Sequence, residues 1–422
     1  MARCAVSVLV SVVLAVGVMG CTSGDRGVDD AAMSVSPAIA PMDQPVRVSV
    51  TGLAAGRPAT VTATAKDAVG VTWSSSAEFR ARGDGTLSLD QAPVGGSYSG
   101  ANPMGLFQFM TPDNPRSPGF GAPLSGSYGV RLEVRVDGRT VAMATATRRS
   151  PQAVGVTTTK LTVAADGVYG VLFRPKDTTT RKPALLIFGG TEGGLSYPVQ
   201  ENAALLAANG YPTLALAYFA APGLPKDLAA IPLEYFHKAL TILRAQPGVD
   251  PDHLLVEGAS WGGEASLLIA ATYPDLANGV IAEVPNSYVD AAPFTRKQSS
   301  WTLDGRQLPF APASQFGAPA AEVDPKAYIP VDRIRGPILL GCGELDLEWP
   351  SCRNVDDITT RLHGRQRVMV LRYRDAGHYI AAFPPYSSTT DAALSRTGGT
   401  IAGIEAANLD LYTKILTLLA SL

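Results

Sequence analysis

From Val46 to about Thr147, apolar and polar residues alternate with a period of two. VRVSVTGL, ATVTATAKDA, VTWSSSAEFRA and GVRLEVRVDGRTVAMATATRR each repeat the pattern, with Gly, Asp and Pro marking the breaks. Side chains on a strand point to opposite faces in turn, so this alternation predicts short strands buried on one side. No helical period interrupts them. Residues 45–150 are therefore expected to form an antiparallel β-sandwich of the immunoglobulin-like kind.

Beyond Thr157 the pattern changes. KPALLIFGG (182–190), YPTLALAYF (211–219), DHLLVEGAS (252–260), NGVIAEVP (278–285), GPILLGCGELD (336–346) and RVMVLRYRDAGH (367–378) are unbroken apolar runs. Such runs suit strands covered on both faces. Between them lie stretches of helical character, VQENAALLAANG (199–210), LEYFHKALTILRAQPG (233–248) and EASLLIAATYP (264–274), ending at Gly or Pro. Alternating strands and helices over 151–422 predict a mostly parallel α/β sheet. The segment from about Asn286 to Arg335 lacks this order and is expected to form an excursion or cap near the site.

The N-terminus follows neither pattern. In MARCAVSVLVSVVLAVGVMGC an early Arg3 precedes an apolar run to Gly20 that is short for a membrane span, as in a secretory signal peptide over residues 1–20. VMGC resembles a bacterial lipobox, which makes Cys21 the expected lipidated residue and a membrane surface the expected partner; cleavage without lipidation is the alternative. Residues 21–44, small, polar and punctuated by proline, read as a flexible tether. Outside the reducing cytoplasm, Cys342 and Cys352 could close a short loop; two reduced core thiols are the alternative. Neither has His or Cys neighbours at metal-ligand spacing, so no metal is expected.

Charge narrows the partners. The chain carries 35 Lys and Arg against 37 Asp and Glu, a net charge of −2, without a basic block. That argues against nucleic acid and leaves a small molecule as the expected ligand.

Candidate chemistry centres on GASWGG. With 42 glycines in 422 residues, a G-x-S-x-G alone carries little weight. Here it joins an apolar strand (LLVE) to a helical stretch (EASLLIAA), the setting of a nucleophile elbow. Ser260 would sit on a strained turn that requires small neighbours, and Gly258 and Gly262 supply them. Its oxyanion hole would take the Trp261 N–H and a second donor from FGGTEGG, either Gly190 or Thr191. A serine needs a base held by an acid, in the chain order Ser, acid, His. Of four histidines, only His378 follows the last strand. Asp346 follows the next-to-last; Glu344 and Glu348 are rivals on its loop, and Asp375 is too near His378 in sequence to be preferred.

The chain resembles the bile acid-CoA:amino acid N-acyltransferase/acyl-CoA thioesterase family over nearly all of its mature length. GGSYSGANPMGLFQFMTP, GGTEGGL, LALAYF, GASWGG, GELDLEWPS, DAGHYI and GGTIAGIEAANLDLYTKIL carry the resemblance in order. It implies a β-sandwich joined to an α/β-hydrolase domain, and a triad of Ser260, Asp346 and His378 that needs no cofactor. Transferase members use cysteine as nucleophile, so serine here implies hydrolysis of acyl thioesters. Export sits uneasily with acyl-CoA, an intracellular metabolite. The alternatives are a surface carboxylesterase, an acyltransferase acting on envelope lipids or glycans, and a non-catalytic surface module.

Overall fold

The computed structural model describes residues 30–311, 323–364, 367–380, 386 and 388–422. An eight-stranded sheet organises the larger part. Its strands, numbered here in chain order, are β1 (Val156–Leu161), β2 (Tyr169–Pro175), β3 (Lys182–Phe188), β4 (Thr213–Ala217), β5 (Val249–Ala259), β6 (Gly279–Glu283), β7 (Ile338–Gly343) and β8 (Val368–Tyr373). The spatial order is β1-β2-β4-β3-β5-β6-β7-β8. β2 runs antiparallel to both neighbours and the other pairs are parallel. This is the α/β-hydrolase fold.

Both faces of the sheet are covered, which is why its central strands read as unbroken apolar runs. Leu186, Leu214, Val256, Val280 and Leu340 share one core with the helices Leu233–Arg244, Trp261–Thr272 and Ser351–Arg361. Leu185, Ile187, Ala215, Leu255, Ile281 and Leu339 face the other way, toward Tyr197–Ala208 and Ile401–Ala420. Each central strand thus alternates between two buried layers instead of between core and water.

The N-terminal region contains two sheets around one core. Pro58–Lys66 and Thr72–Arg80 lie in a seven-stranded sheet with the hairpin Ser127–Val136/Arg139–Arg149. Arg47–Thr51 lies in a three-stranded one. Val48, Val50, Val61, Trp73, Phe79 and Leu132 pack together between them. That core also takes in Leu205 and Tyr412 from the two helices on the near face of the hydrolase sheet. Polar contacts fasten the same seam. Ala122 N–H donates to Glu201 Oε1 at 3.1 Å, Met110 N–H donates to Ser388 Oγ at 3.1 Å, and Tyr412 Oη–H donates to Asp43 Oδ2 at 3.2 Å. The β region therefore fixes the helix Tyr197–Ala208, which reaches the site.

Two expectations need correction. The tether does not extend to residue 44: Ala32–Ser36 pairs with Arg47–Thr51, and Ile39–Pro41 pairs with Arg139–Arg149. Small residues such as those of AMSVS give a weak hydrophobic signal, yet their backbone groups complete the sheet edges. The signal peptide and Cys21 lie outside the described residues. Second, no described residue of 286–335 lines the cavity at Ser260. Trp301–Leu303 instead forms a small sheet with Ile231–Pro232 and Arg306–Gln307, behind the helix that follows Ser260. Within 151–422 the sheet also includes β1 and β2, beyond the six apolar runs; β1 (VTTTKL) is exposed along its middle, as an edge strand can be.

Candidate active site

Ser260 lies between β5 and the helix Trp261–Thr272, with φ 61° and ψ −125°. A left-handed φ is costly for a residue with a Cβ, and here the surroundings impose it. A Cβ on Gly258 would lie 2.4 Å from the Gly262 carbonyl oxygen, and one on Gly262 would lie 2.6 Å from that of Gly189. Ser260 N–H donates to the Glu283 carbonyl at 2.9 Å, and the Ser260 carbonyl accepts from Glu264 N–H at 3.0 Å. The strand, the turn and the helix are thereby locked together.

His378 and Asp346 reach Ser260 from loops after β8 and β7. His378 Nε2 lies 2.9 Å from Ser260 Oγ, and its Nδ1 lies 2.9 and 3.1 Å from the two Asp346 carboxylate oxygens. The Asp346 side chain is 2% exposed and that of His378 9%, so water competes little for these bonds. Asp346 Oδ1 also accepts the N–H groups of Glu348 and Trp349, at 2.9 and 3.2 Å. These bonds fix the orientation of the carboxylate toward His378.

Neither rival acid takes this place. The Glu344 carboxylate lies 4.0 Å from Arg372, while Glu348 lines the cavity and contributes its N–H to Asp346. Among the other histidines, His253 meets Asp250 and His237 packs on Tyr273.

Several supporting residues left no chemical signal in the sequence. Trp349 packs edge-on against His378, with ring centroids 5.2 Å apart, and lies 4.7 Å from Trp261; its indole N–H donates to the Val284 carbonyl at 2.9 Å. Thr397 accepts N–H bonds from His378 and Leu347, at 2.8 and 3.3 Å, and so ties the histidine loop to the acid loop. Beside it, a Cβ on Gly377 would strike the Gly398 backbone at 2.3 Å, and one on Gly398 would lie 1.9 Å from the Leu345 carbonyl oxygen. Gly377 and the pair Gly398–Gly399 were the available clue; their partners were not readable.

Cys342, on β7, and Cys352, at the start of the next helix, form a disulfide with Cα atoms 5.0 Å apart. The loop it closes carries Asp346.

Ser260 and His378 open onto a cavity of about 510 Å³, whose walls include Phe188, Val199, Ile380 and the polar Glu192. Deeper in, Asn202 Nδ2–H donates to Glu257 Oε1 at 2.7 Å, and burial pushes the Glu257 carboxyl up to about 7. The two loops nominated for the oxyanion hole border this cavity. Trp261 supplies the first N–H of its helix, which has no intrahelical acceptor. Gly190 lies against the serine: a Cβ there would lie 3.1 Å from Ser260 Cβ. Its N–H, however, donates to Glu192 Oε2 at 2.9 Å.

Comparison with known proteins supplies the family. The model described as the acyl-CoA thioester hydrolase/BAAT N-terminal region matches residues 43–163, and that for the BAAT/acyl-CoA thioester hydrolase C terminal matches 231–417. The chain belongs to the acyl-CoA thioester hydrolase/BAAT family. Mouse acyl-coenzyme A thioesterase 1 is 34% identical over 363 residues, which cover 82% of this chain and 83% of the relative. Mouse mitochondrial acyl-coenzyme A thioesterase 2 is 33% identical over 362 residues, covering 82% and 77%. As a member of this family the protein is an enzyme, a thioester hydrolase.

Proposed function

We propose that the enzyme hydrolyses acyl-CoA-type thioesters through a Ser260–His378–Asp346 triad and an acyl-enzyme. The reading rests on one observation, the hydrogen-bonded chain from Ser260 Oγ through His378 to Asp346 at a cavity whose walls mix apolar side chains with polar ones. His378 Nε2 takes the Ser260 proton as Oγ attacks the thioester carbonyl. Asp346 holds Nδ1–H and stabilises the imidazolium that forms. The oxyanion is met by backbone N–H groups, and His378 returns its proton to the departing thiolate. Water, deprotonated by the same imidazole, then attacks the Ser260 ester, and the imidazolium returns that proton to Ser260 Oγ as the acid departs.

A second reading of the substrate has its own support. The apolar run that ends at Cys21 favours export and a lipid anchor on the extracytoplasmic face, where esters of envelope lipids or glycans are the more accessible substrates. In this account the N-terminal sheets form an immunoglobulin-like sandwich that holds the catalytic part together at the membrane surface.

Thiol release from acyl-CoAs of graded length, measured beside hydrolysis of matched oxygen esters by residues 22–422, separates the two. Ser260→Ala is expected to lose at least about 1000-fold in rate while remaining folded. Thioester turnover lost in that variant supports the first reading. Ser260-dependent cleavage of oxygen esters alone supports the second, and near-normal turnover by Ser260→Ala would sink both.

A further inference from the structure

The loop after β3 offers two N–H groups to an oxyanion, and the hydrogen bonds around it distinguish them. Tyr218, immediately beyond β4, is buried, with its hydroxyl 3.0 Å from both the Gly189 and the Gly190 carbonyl oxygens. In a planar trans peptide the C=O and the following N–H point in opposite directions. Two successive carbonyls drawn toward Tyr218 therefore turn the N–H groups of Gly190 and Thr191 together toward the other side. Glu192 lies there. Its Oε2 accepts the Gly190 N–H, and its Oε1 accepts Ser196 Oγ–H at 3.3 Å. The carboxylate occupies the space that a side chain at residue 189 would fill, since a Cβ there would lie 1.7 Å from Oε1. Among the described residues, Thr191 N–H has no acceptor, and Thr191 borders the cavity with Ser260.

We infer that Thr191 N–H is the second oxyanion donor, that Tyr218 is the positioning residue that aims it through the Gly190 carbonyl, and that Glu192 withholds the Gly190 N–H. The inference rests on the triad reading above. Burial also pushes the Tyr218 hydroxyl well above its ordinary range, so it remains a donor wherever the enzyme works. Its ring packs among Phe188, Phe236 and Trp301, which hold the hydroxyl in place. The effect belongs to the transition state. A misdirected N–H would barely alter substrate binding but would fail the oxygen as it gains charge.

Tyr218→Phe keeps the ring and removes only the hydroxyl. It is expected to lower kcat about 10- to 100-fold, with KM changed by less than about threefold. Affinity for an acyl trifluoromethyl ketone, whose adduct with Ser260 carries the oxyanion, should fall by the same factor as kcat. Loss of folding stability without a change in kcat or in ketone affinity would overturn the inference. Glu192→Ala tests the other half. Removing the carboxylate frees the Gly190 N–H and loosens the loop, so a modest fall of about threefold to tenfold in kcat is expected. A rise in kcat would mean that Gly190 is the donor and Glu192 its competitor, which overturns the assignment. Ser260→Ala, assayed alongside, separates the two levels. If it is inactive while Tyr218→Phe is normal, only this inference fails; if it remains active, the triad itself is wrong.

Discussion

Ser260 is held mainly by the backbone geometry of the five residues Gly258 to Gly262, pressed against the Gly189 and Glu283 carbonyls, whereas Asp346 is held by contacts spread along the arc from Cys342 to Cys352. At the elbow, glycine spacing, a left-handed φ and the start of a helix determine where Oγ points. In the acid loop, a disulfide closes the ends, two N–H groups fix the carboxylate, and Thr397 ties Leu347 across to the histidine loop. A turn set by local sterics is either made or lost. A loop set by several cross-links can be loosened one link at a time. The two halves of the proposed triad should therefore respond differently to perturbation.

The strongest test of that contrast, after loss of the nucleophile, is Asp346→Asn. Asp346 Oδ1 accepts the N–H groups of Glu348 and Trp349, so an asparagine would turn its carbonyl oxygen to them. Its NH2 would then face His378 Nδ1. That arrangement favours the imidazole tautomer with hydrogen on Nε2, which cannot accept the Ser260 proton. A loss of about 10⁴-fold in kcat is expected, with the fold intact. A crystal structure of the variant with unchanged positions for Ser260 and His378 would place the defect in the tautomer. A loss below about tenfold would mean that the loop serves only to position His378.

The same contrast explains what the sequence made legible. The elbow is a run of consecutive residues, so strand, glycines, serine and helix could be read directly, although its contacts with the Gly189 and Glu283 carbonyls could not. The buried strands were equally plain, because Leu185 and Leu186 face different cores and both must be apolar. The acid could be narrowed to one loop, and Asp346 was favoured there by position, order and family resemblance; its selection over Glu344 and Glu348 depends on where a turn places each side chain. Tyr218, Glu192 and Thr397 were out of reach. Each acts through backbone atoms brought near only by the folded sheet. Residues 30–44 misled for a related reason: their strands are specified by partners elsewhere in the chain more than by their own side chains.

Breaking one cross-link of the acid loop should give an intermediate effect. Closing a loop of this length restricts the unfolded chain by about 2–3 kcal/mol. Serine at both Cys342 and Cys352, or a reductant that reaches this buried pair, should therefore lower Tm by about 2–4 °C. The remaining ties, through Trp349 and Thr397, should keep Asp346 close to His378, so kcat is expected to fall by no more than roughly tenfold. Mass spectrometry before and after reduction establishes the state of the pair. A loss as large as that of Asp346→Asn would mean that the disulfide alone positions the acid.

The elbow should ignore reductant and respond instead to pH, through the helix behind it. Glu264 is fully buried there; its Oε1 accepts the Trp301 indole N–H at 2.6 Å and Asp290 N–H at 3.2 Å. Burial, with Asp290 nearby, pushes its carboxyl up to about 8 from an ordinary 4.5. Between those values the folded chain holds a proton that the unfolded chain has released. Its contribution to stability is therefore complete below about 4.5 and is lost as pH rises through about 8. The Tm of the wild-type enzyme should fall over that interval, and Glu264→Gln, neutral throughout, should flatten the fall while leaving kcat within about threefold of wild type. The glutamine keeps an oxygen for Trp301 and carries no charge to bury. An identical Tm profile in the two proteins would show that Glu264 is ionised in the fold, and would move the pH response of the elbow to other buried carboxyls such as Glu257.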